Sequence, residues 1–154
     1  MKTISKQHGL GNIIALFLIP SVMVDSIIDR NIFYQGADPS YKLDFATESV
    51  QISSKYEDSR AGSLYNHSIK GIIPGNSEDS REMLKNLCRY PALTVVFQTN
   101  ETTFYCIGNS TEGLRFYVDF SAPSNPSENP SFAFELSGKL TIPVKLINWP
   151  ALQL

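Results

Sequence analysis

Few residues in this sequence have the types and spacing that chemistry requires. The chain holds two histidines, His8 and His67, and two cysteines, Cys88 and Cys106, and their separations match no pattern typical of zinc ligands. We expect both cysteines to be buried thiols that pack as small apolar side chains. A disulfide between them stays open, because the helix and the strand that carry them could pack together. His67 falls in a predicted strand, where we expect it to face solvent or a neighbouring residue rather than act as a base.

Two groups of carboxylates lie close together in the sequence. The first precedes Arg60 in a predicted turn, and we interpret it as solvated charge. The second opens a predicted helix, where the helix dipole favours negative charge and nothing apolar surrounds the acids to tune an acid–base pair. The residues are Glu57 and Asp58 in the turn, and Glu78, Asp79 and Glu82 in the helix.

Other catalytic patterns are missing from the sequence. Gly108, Asn109 and Ser110 resemble a phosphate-binding turn only weakly, and a hairpin turn explains them better. The sequence holds no Gly-rich phosphate loop after a strand and no ordered set of nucleophile, base and acid. We therefore predict no catalytic, cofactor-binding or metal-binding residues, no cofactor, and a protein that is not an enzyme.

Length and composition indicate one β-rich domain over residues 1–154. The chain has 154 residues, 42% of them hydrophobic and 11% aromatic, which is enough for a core without metals or disulfides. Only 18% of the residues are charged and the formal net charge is −2, so the bulk charge gives no reason to expect a nucleic-acid partner.

The beginning of the sequence has some features of a secretion signal. Lys2 and Lys6 precede the apolar residues 13–19, and Pro20 ends that run. The run is short for a signal peptide and no cleavage pattern follows it, so a buried strand over 12–19 is our prediction. Three glycosylation sequons begin at Asn66, Asn100 and Asn109, but a chain this rich in Ser, Thr and Asn would contain some by chance.

The apolar pattern predicts about eight strands and one helix. A half-buried strand over 50–56 and a long strand over 63–73 form an antiparallel hairpin around a turn at 57–62. The helix is capped by Asn76 or Ser77, shows an apolar stripe, and stops at Pro91. The stripe is Met83, Leu84, Leu87 and Cys88. Further strands are predicted over 93–97, 102–107, 114–120 and 132–136, and the last continues over 140–144 after a bulge or close approach at Gly138.

Three segments fall outside this pattern. Residues 1–11 are predicted to form a flexible arm, and the proline-rich residues 121–131 an extended loop. Residues 145–154 form an apolar tail that its own domain or a neighbouring subunit must cover. The fold class we predict is mainly β with one α-helix: an antiparallel β-sandwich or open barrel.

Several short motifs resemble a family of small phage and prophage proteins from gut bacteria, some of them tail or connector components. The motifs lie at 11–20, 62–65, 69–74, 93–97, 107–108, 113–116 and 132–139. The chain departs from the family at 99–101 and 129–131, where a glycine is common. The resemblance implies a tail-tube-like fold in which subunits join edge to edge into a ring.

The function implied is that of a virion structural protein, assembled in the host cytoplasm. It would be a subunit of a tail, a tail tube or a head–tail connector ring, with six or twelve copies and other virion proteins as partners. DNA would be only a non-specific passenger, and no membrane would be involved. Strands 50–56 and 63–73 would pair with or lie against the next subunit, while loop 121–131 and the termini would contact adjacent rings. The alternative is a secreted or surface β-sandwich that binds a carbohydrate or a protein.

Overall fold

Two β-sheets and one α-helix make up the fold in a computed structural model of the chain, which describes residues 13–34, 36, 39–46, 48–60, 62–75, 78–99, 103–121 and 131–153. The seven-stranded sheet has the order β2 (Val24–Ile28), β3 (Asn31–Tyr34), β11 (Lys145–Gln153), β8 (Phe104–Ile107), β7 (Leu93–Thr99), β1 (Ile13–Pro20) and β4 (Tyr41–Leu43). The four-stranded sheet has the order β5 (Gln51–Ser59), β6 (Gly62–Pro74), β10 (Ser131–Leu140) and β9 (Arg115–Ser121). The helix, α1, spans Glu78–Arg89. Both sheets are open, and the predicted fold class, mainly β with one helix in a sandwich, is confirmed.

The predicted β5–β6 hairpin is confirmed, with a longer ladder than the sequence indicated. Ile52 lies opposite Ile69, and the pairing continues without a register shift to Ser59 opposite Gly62. The predicted turn at 57–62 was therefore too long, because its first three residues complete the strand. Alternate side chains along β6 are buried, which follows from the two-residue period of a strand with one face on the core.

The seven-stranded sheet is covered by apolar side chains on both faces. On β7, Val95 and Phe97 belong to the main core between the two sheets, while Val96 belongs to a second cluster on the opposite face. The buried members of the second cluster are Ile19, Val24, Ile32, Val96, Cys106 and Ile147. Burial on both faces explains why β1 and β7 read in the sequence as continuous apolar runs.

Helix α1 packs its predicted apolar stripe on the main core. Leu84 and Leu87 are buried, and Met83 and Cys88 contact the same core from half-buried positions. The candidate cap residues 76–77 lie outside the described residues. Glu78 and Asp79 occupy the first turn as predicted, whereas Glu82 lies in the next turn.

The structure corrects three predictions about strands. The described residues contain eleven strands instead of about eight, because the segments around β2, β3, β4 and β11 are also paired. β11 follows the strand predicted to be the last, and it pairs in parallel with β3, so the seven-stranded sheet is not purely antiparallel. Pairing between β10 and β6 continues through Gly138, so no bulge forms there. Gly138 instead permits a close approach, since a Cβ at this position would lie 3.2 Å from Leu114 Cδ2.

The predicted apolar tail is a strand in the interior of the seven-stranded sheet. β11 lies between β8 and β3, so its pairing partners belong to the same chain, and of its described side chains Ile147 is buried whereas Leu146 is 43% exposed. Trp149 packs its ring against Phe17, with the ring centroids 4.9 Å apart. The predicted arm 1–11, most of the loop 121–131 and most of the turn 99–101 lie outside the described residues. Within the described part, no helix has the length and apolarity that a membrane crossing requires.

Candidate functional site

A hydroxyl and an imidazole meet between β5 and β6, at a place that the sequence did not single out. Ser54 Oγ lies 2.9 Å from His67 Nδ1, and His67 Nε2 lies 3.0 Å from the carbonyl oxygen of Ile142. Because a carbonyl can only accept, the proton sits on Nε2 and Nδ1 accepts from the Ser54 hydroxyl. The side chain of His67 is 0% exposed, so the expectation that it faces solvent is wrong and the expectation that it faces neighbours is right.

The surroundings of His67 make the pair a structural link. Burial lowers the pKa of His67 below its ordinary value, and the hydrogen bond to Ile142 opposes this shift only in part. Both ring nitrogens are occupied and the ring does not touch solvent. The pair fastens β6 to β5 on one side and to the segment after β10 on the other.

The two cysteines are free thiols. Burial raises the pKa of Cys106 to about 12, and the positive charge of Lys145 lowers it by a smaller amount. Burial also raises the pKa of Cys88, against a smaller lowering effect of Arg115. Neither thiol is activated as a nucleophile, because nucleophilic reactivity belongs to the thiolate. The expectation of unpaired thiols is confirmed, but the expectation that both are buried holds only for Cys106, because Cys88 is partly exposed.

The polar groups of the segment between β8 and β9 form hydrogen bonds with one another. Asn109 Oδ1 accepts hydrogen bonds from the backbone N–H groups of Thr111, at 2.9 Å, and Glu112, at 2.8 Å. The Asn109 N–H donates to the carbonyl oxygen of Glu112 at 2.8 Å. These donors are therefore used within a turn and are not presented to a phosphate. The prediction of a hairpin turn at Gly108–Ser110 is wrong, because β8 and β9 belong to different sheets and this turn connects them.

The acidic residues near the β5–β6 turn do not converge. Glu57 and Asp58 are neighbours in a strand, so they point to opposite faces of the sheet. Glu57 forms an ion pair with Lys139 at 3.5 Å on the outward face. Among the described residues, no group of three or more His, Cys, Asp or Glu side chains could hold a metal ion.

The outer edge of β5 offers a row of backbone groups. Ile72 of β6 donates its N–H to Ser49 Oγ and accepts from the N–H of Ala46, so its backbone groups face the β5 side of the ladder. Backbone direction alternates along an antiparallel ladder, and the β5–β6 register is continuous. The backbone groups of Ile52, Tyr56 and Asp58 therefore point away from β6, toward the open side of the sheet.

The opposite edge of the same sheet is β9, and helix α1 packs beside it, with the Arg81 guanidinium 5.3 Å from the centre of the Phe120 ring. Leu114, just before β9, exchanges backbone hydrogen bonds with Leu93 of the other sheet at 2.7 and 2.8 Å. The alternation then directs the backbone groups of Phe116, Val118 and Phe120 away from β10. Within the described part of the chain, β5 and β9 are thus the two unpaired edges of the four-stranded sheet.

Large apolar side chains are also exposed away from the core. Val22 is 78% exposed and Ile14 is 52% exposed. Single exposed apolar residues are normal, but several of these lie on or beside the open edges. Those on β5, β6 and β9 are Tyr56, Ile72, Tyr117 and Phe120.

The resemblance implied that strands 50–56 and 63–73 contact the next subunit, and sequence reasoning did not identify β9 as an edge strand. Strand order was the missing information, and no residue type encodes it. The comparisons with known proteins give no further guidance, because no protein-family model, no curated protein and no solved structure matches this chain.

Proposed function

We propose that this chain is a non-enzymatic structural subunit that joins copies of itself, edge to edge, into a closed ring. The edges concerned are β5 of one copy and β9 of the next. The motif resemblance suggests where such a ring belongs: a phage tail, a tail tube or a head–tail connector, assembled in the host cytoplasm with other virion proteins. Six or twelve copies are the ring sizes that the resemblance favours.

The observation that carries the proposal is the strand order of the four-stranded sheet. Its strands alternate in direction, so β9 runs opposite to β5. When β5 of the next copy lies beside β9 in a rotationally symmetric ring, the two strands are again antiparallel. The sheet then continues from subunit to subunit, and this head-to-tail contact is the type that generates rings.

Edge joining also solves a physical problem of the open sheet. β5 has nine residues and pairs with β6 on one side only. A long strand with one open edge can form unwanted pairs with other chains. Ring closure pairs its N–H and C=O groups and leaves no free end of the sheet. Strand β6 is interior, with β5 on one side and β10 on the other, so 63–73 cannot pair with a neighbouring subunit. It can only lie against one through its outward face.

The outward face of the four-stranded sheet carries both signs of charge. Its basic residues are Lys55, Lys70, Arg115 and Lys139, and its acidic residues are Glu57, Asp119 and Glu135. A nearly balanced face attracts DNA phosphates weakly, since affinity for DNA grows with the number of phosphates that basic side chains neutralise. Such a face suits the wall of a channel through which DNA passes as a non-specific passenger.

The experiment measures particle mass for the full chain and for two variants at one position. Asp58→Pro removes an N–H that points away from β6, so it leaves the hairpin ladder intact and blocks edge pairing. Asp58→Ala removes the same side chain but keeps the N–H. We expect rings for the unmodified chain and for Asp58→Ala in mass photometry, and monomers for Asp58→Pro.

Circular dichroism and thermal unfolding of the three proteins establish that each is folded. A folded, unmodified chain that stays monomeric at every concentration measured would contradict the proposal. Rings formed equally well by Asp58→Pro would show that assembly does not use this edge.

A further inference from the structure

A cleft of about 470 Å³ opens at the end of the seven-stranded sheet, away from the edges β5 and β9. Two strands and one turn contribute to it: the start of β8, the middle of β11 and the turn between β2 and β3. The residues that line it are Arg30, Thr103, Phe104, Leu146, Ile147, Asn148 and Trp149. Polar side chains and aromatic rings both line the cleft, and a small-molecule site needs apolar surface together with polar groups that orient the ligand.

Arg30 occupies a position that does not suit its side chain. It follows Asp29 in the β2–β3 hairpin turn, and both residues have positive φ, 52° for Asp29 and 67° for Arg30. This two-residue turn favours glycine at the position of Arg30, because a Cβ is disfavoured in the left-handed region. An arginine there makes the turn less favourable, so the turn itself does not explain its presence.

The backbone of Arg30 is fixed against β11. Its carbonyl oxygen accepts the Asn148 N–H at 2.6 Å, and Asn148 Nδ2 donates to Asn31 Oδ1 at 3.2 Å. Donation by Nδ2 directs the other amide atom, the acceptor Oδ1, away from Asn31. The one ion pair among the described residues joins Lys139 to Glu57, so within them no carboxylate neutralises Arg30.

Two aromatic residues of the cleft are held by other rings. The centroid of the Trp149 ring lies 4.9 Å from that of Phe17 and 6.4 Å from that of Phe104. Both Trp149 and Phe104 pack on the second core cluster and are only partly buried. They form an apolar surface of fixed orientation at the cleft, which can accept the flat apolar face of a ring-shaped ligand without further ordering.

We propose that this cleft binds an acidic saccharide, a sugar ring that carries a carboxylate. The Arg30 guanidinium pairs with the carboxylate, which it can contact through two parallel hydrogen bonds. The apolar C–H face of the sugar lies on Trp149, and the sugar hydroxyls bond to Asn148 Oδ1 and the Thr103 hydroxyl. This binding is separate from ring assembly and adds a recognition role to the subunit.

The test uses Trp149, which is the single tryptophan of the chain and lines the cleft. The full chain is titrated with sodium glucuronate and, separately, with glucose at the same ionic strength. Tryptophan fluorescence and the backbone amide NMR shifts of Asn148 and Trp149 report occupancy. We expect saturable changes with glucuronate and binding of glucose that is weaker by about tenfold or more.

Arg30→Gly is the decisive variant, because glycine suits the turn and the variant should fold at least as well as the original chain. We expect it to lose about tenfold or more in glucuronate affinity while its thermal stability holds or rises. Arg60→Gly, which removes the same charge at the β5–β6 turn, should bind glucuronate normally. Absence of both spectroscopic changes in the folded chain, equal affinity for glucose, or full affinity in Arg30→Gly would overturn the proposal.

Discussion

The imidazole of His67 and the hydroxyl of Ser54 lie directly opposite each other on β6 and β5, 2.9 Å apart. The other ring nitrogen of His67 is held at 3.0 Å by the carbonyl of Ile142. One buried ring thus joins two strands and the segment between β10 and β11. These hydrogen bonds require the neutral form of His67. The Ser54 hydroxyl donates to Nδ1, and in a protonated imidazole Nδ1 carries a hydrogen and cannot accept.

We predict that His67 makes the fold less stable in weak acid. Burial places the pKa of the folded state below the unfolded value of 6.5. As the pH falls through about 6.5, the unfolded chain takes up a proton that the folded chain does not, so the free energy of unfolding decreases. Above that pH the full stability is present. Urea unfolding at a series of pH values between about 7.5 and 5 measures this slope.

Two variants separate the contribution of His67 from that of other groups. His67→Leu removes the titration and should flatten the slope, at a cost of about 1–3 kcal/mol because the Ile142 carbonyl loses its donor. His8→Gln removes the other histidine and should keep the slope. A slope that survives in His67→Leu would show that the pH dependence arises elsewhere.

Gly113 is predicted to be the least replaceable of the described glycines without positive φ. A Cβ there would lie 2.5 Å from Ser21 Oγ and 2.7 Å from the carbonyl oxygen of Leu93, which is backbone and cannot move freely. We expect Gly113→Ala to lower the free energy of unfolding by about 1–3 kcal/mol. The matched variant is Gly138→Ala, whose Cβ would meet a leucine side-chain end at 3.2 Å, and it should cost less. Equal costs in urea unfolding would argue against this packing of the β8–β9 segment.

The thiols are predicted to differ in reactivity. Cys106 is buried, and its pKa is raised to about 12, so iodoacetamide should not modify it in the folded protein at pH about 8. Cys88 is only partly buried and should react slowly. Peptide mass spectrometry before and after unfolding measures both. Rapid modification of Cys106 in the folded chain would contradict its position between β7 and β11.

The helix and the main hairpin could be predicted from the sequence because their signals are local. The apolar stripe around Leu84 and Leu87 has helical spacing, and the residues of β5 alternate between polar and apolar. β1 and β7 were recognisable as buried runs. The spacing of apolar residues within each of these elements was enough to identify it, so the strands or helices that it contacts did not have to be known.

The remaining strands depend on contacts that are distant in the sequence. The segment that contains Trp149 also contains Pro150, which disfavours a strand in the sequence. The segment nevertheless forms β11, because β3 and β8 lie on either side of it. The burial of His67 depends on Ile142, which is 75 residues away. Nothing in the sequence indicated that Arg30 would line a cleft, except that arginine is an unusual residue in a turn of this kind. Pairing partners, and therefore open edges and clefts, could not be read from one sequence.

Hydrogen exchange of the β5 amides tests edge assembly most directly. Gln51, Ser53, Lys55 and Glu57 pair inward with β6, so their amides should be protected at all protein concentrations. The amides of Ile52, Tyr56 and Asp58 point outward, and we predict that they are protected at high concentration and exchange rapidly after dilution to monomers. Rapid exchange of these three amides at every concentration, with the inward amides protected, would contradict the account.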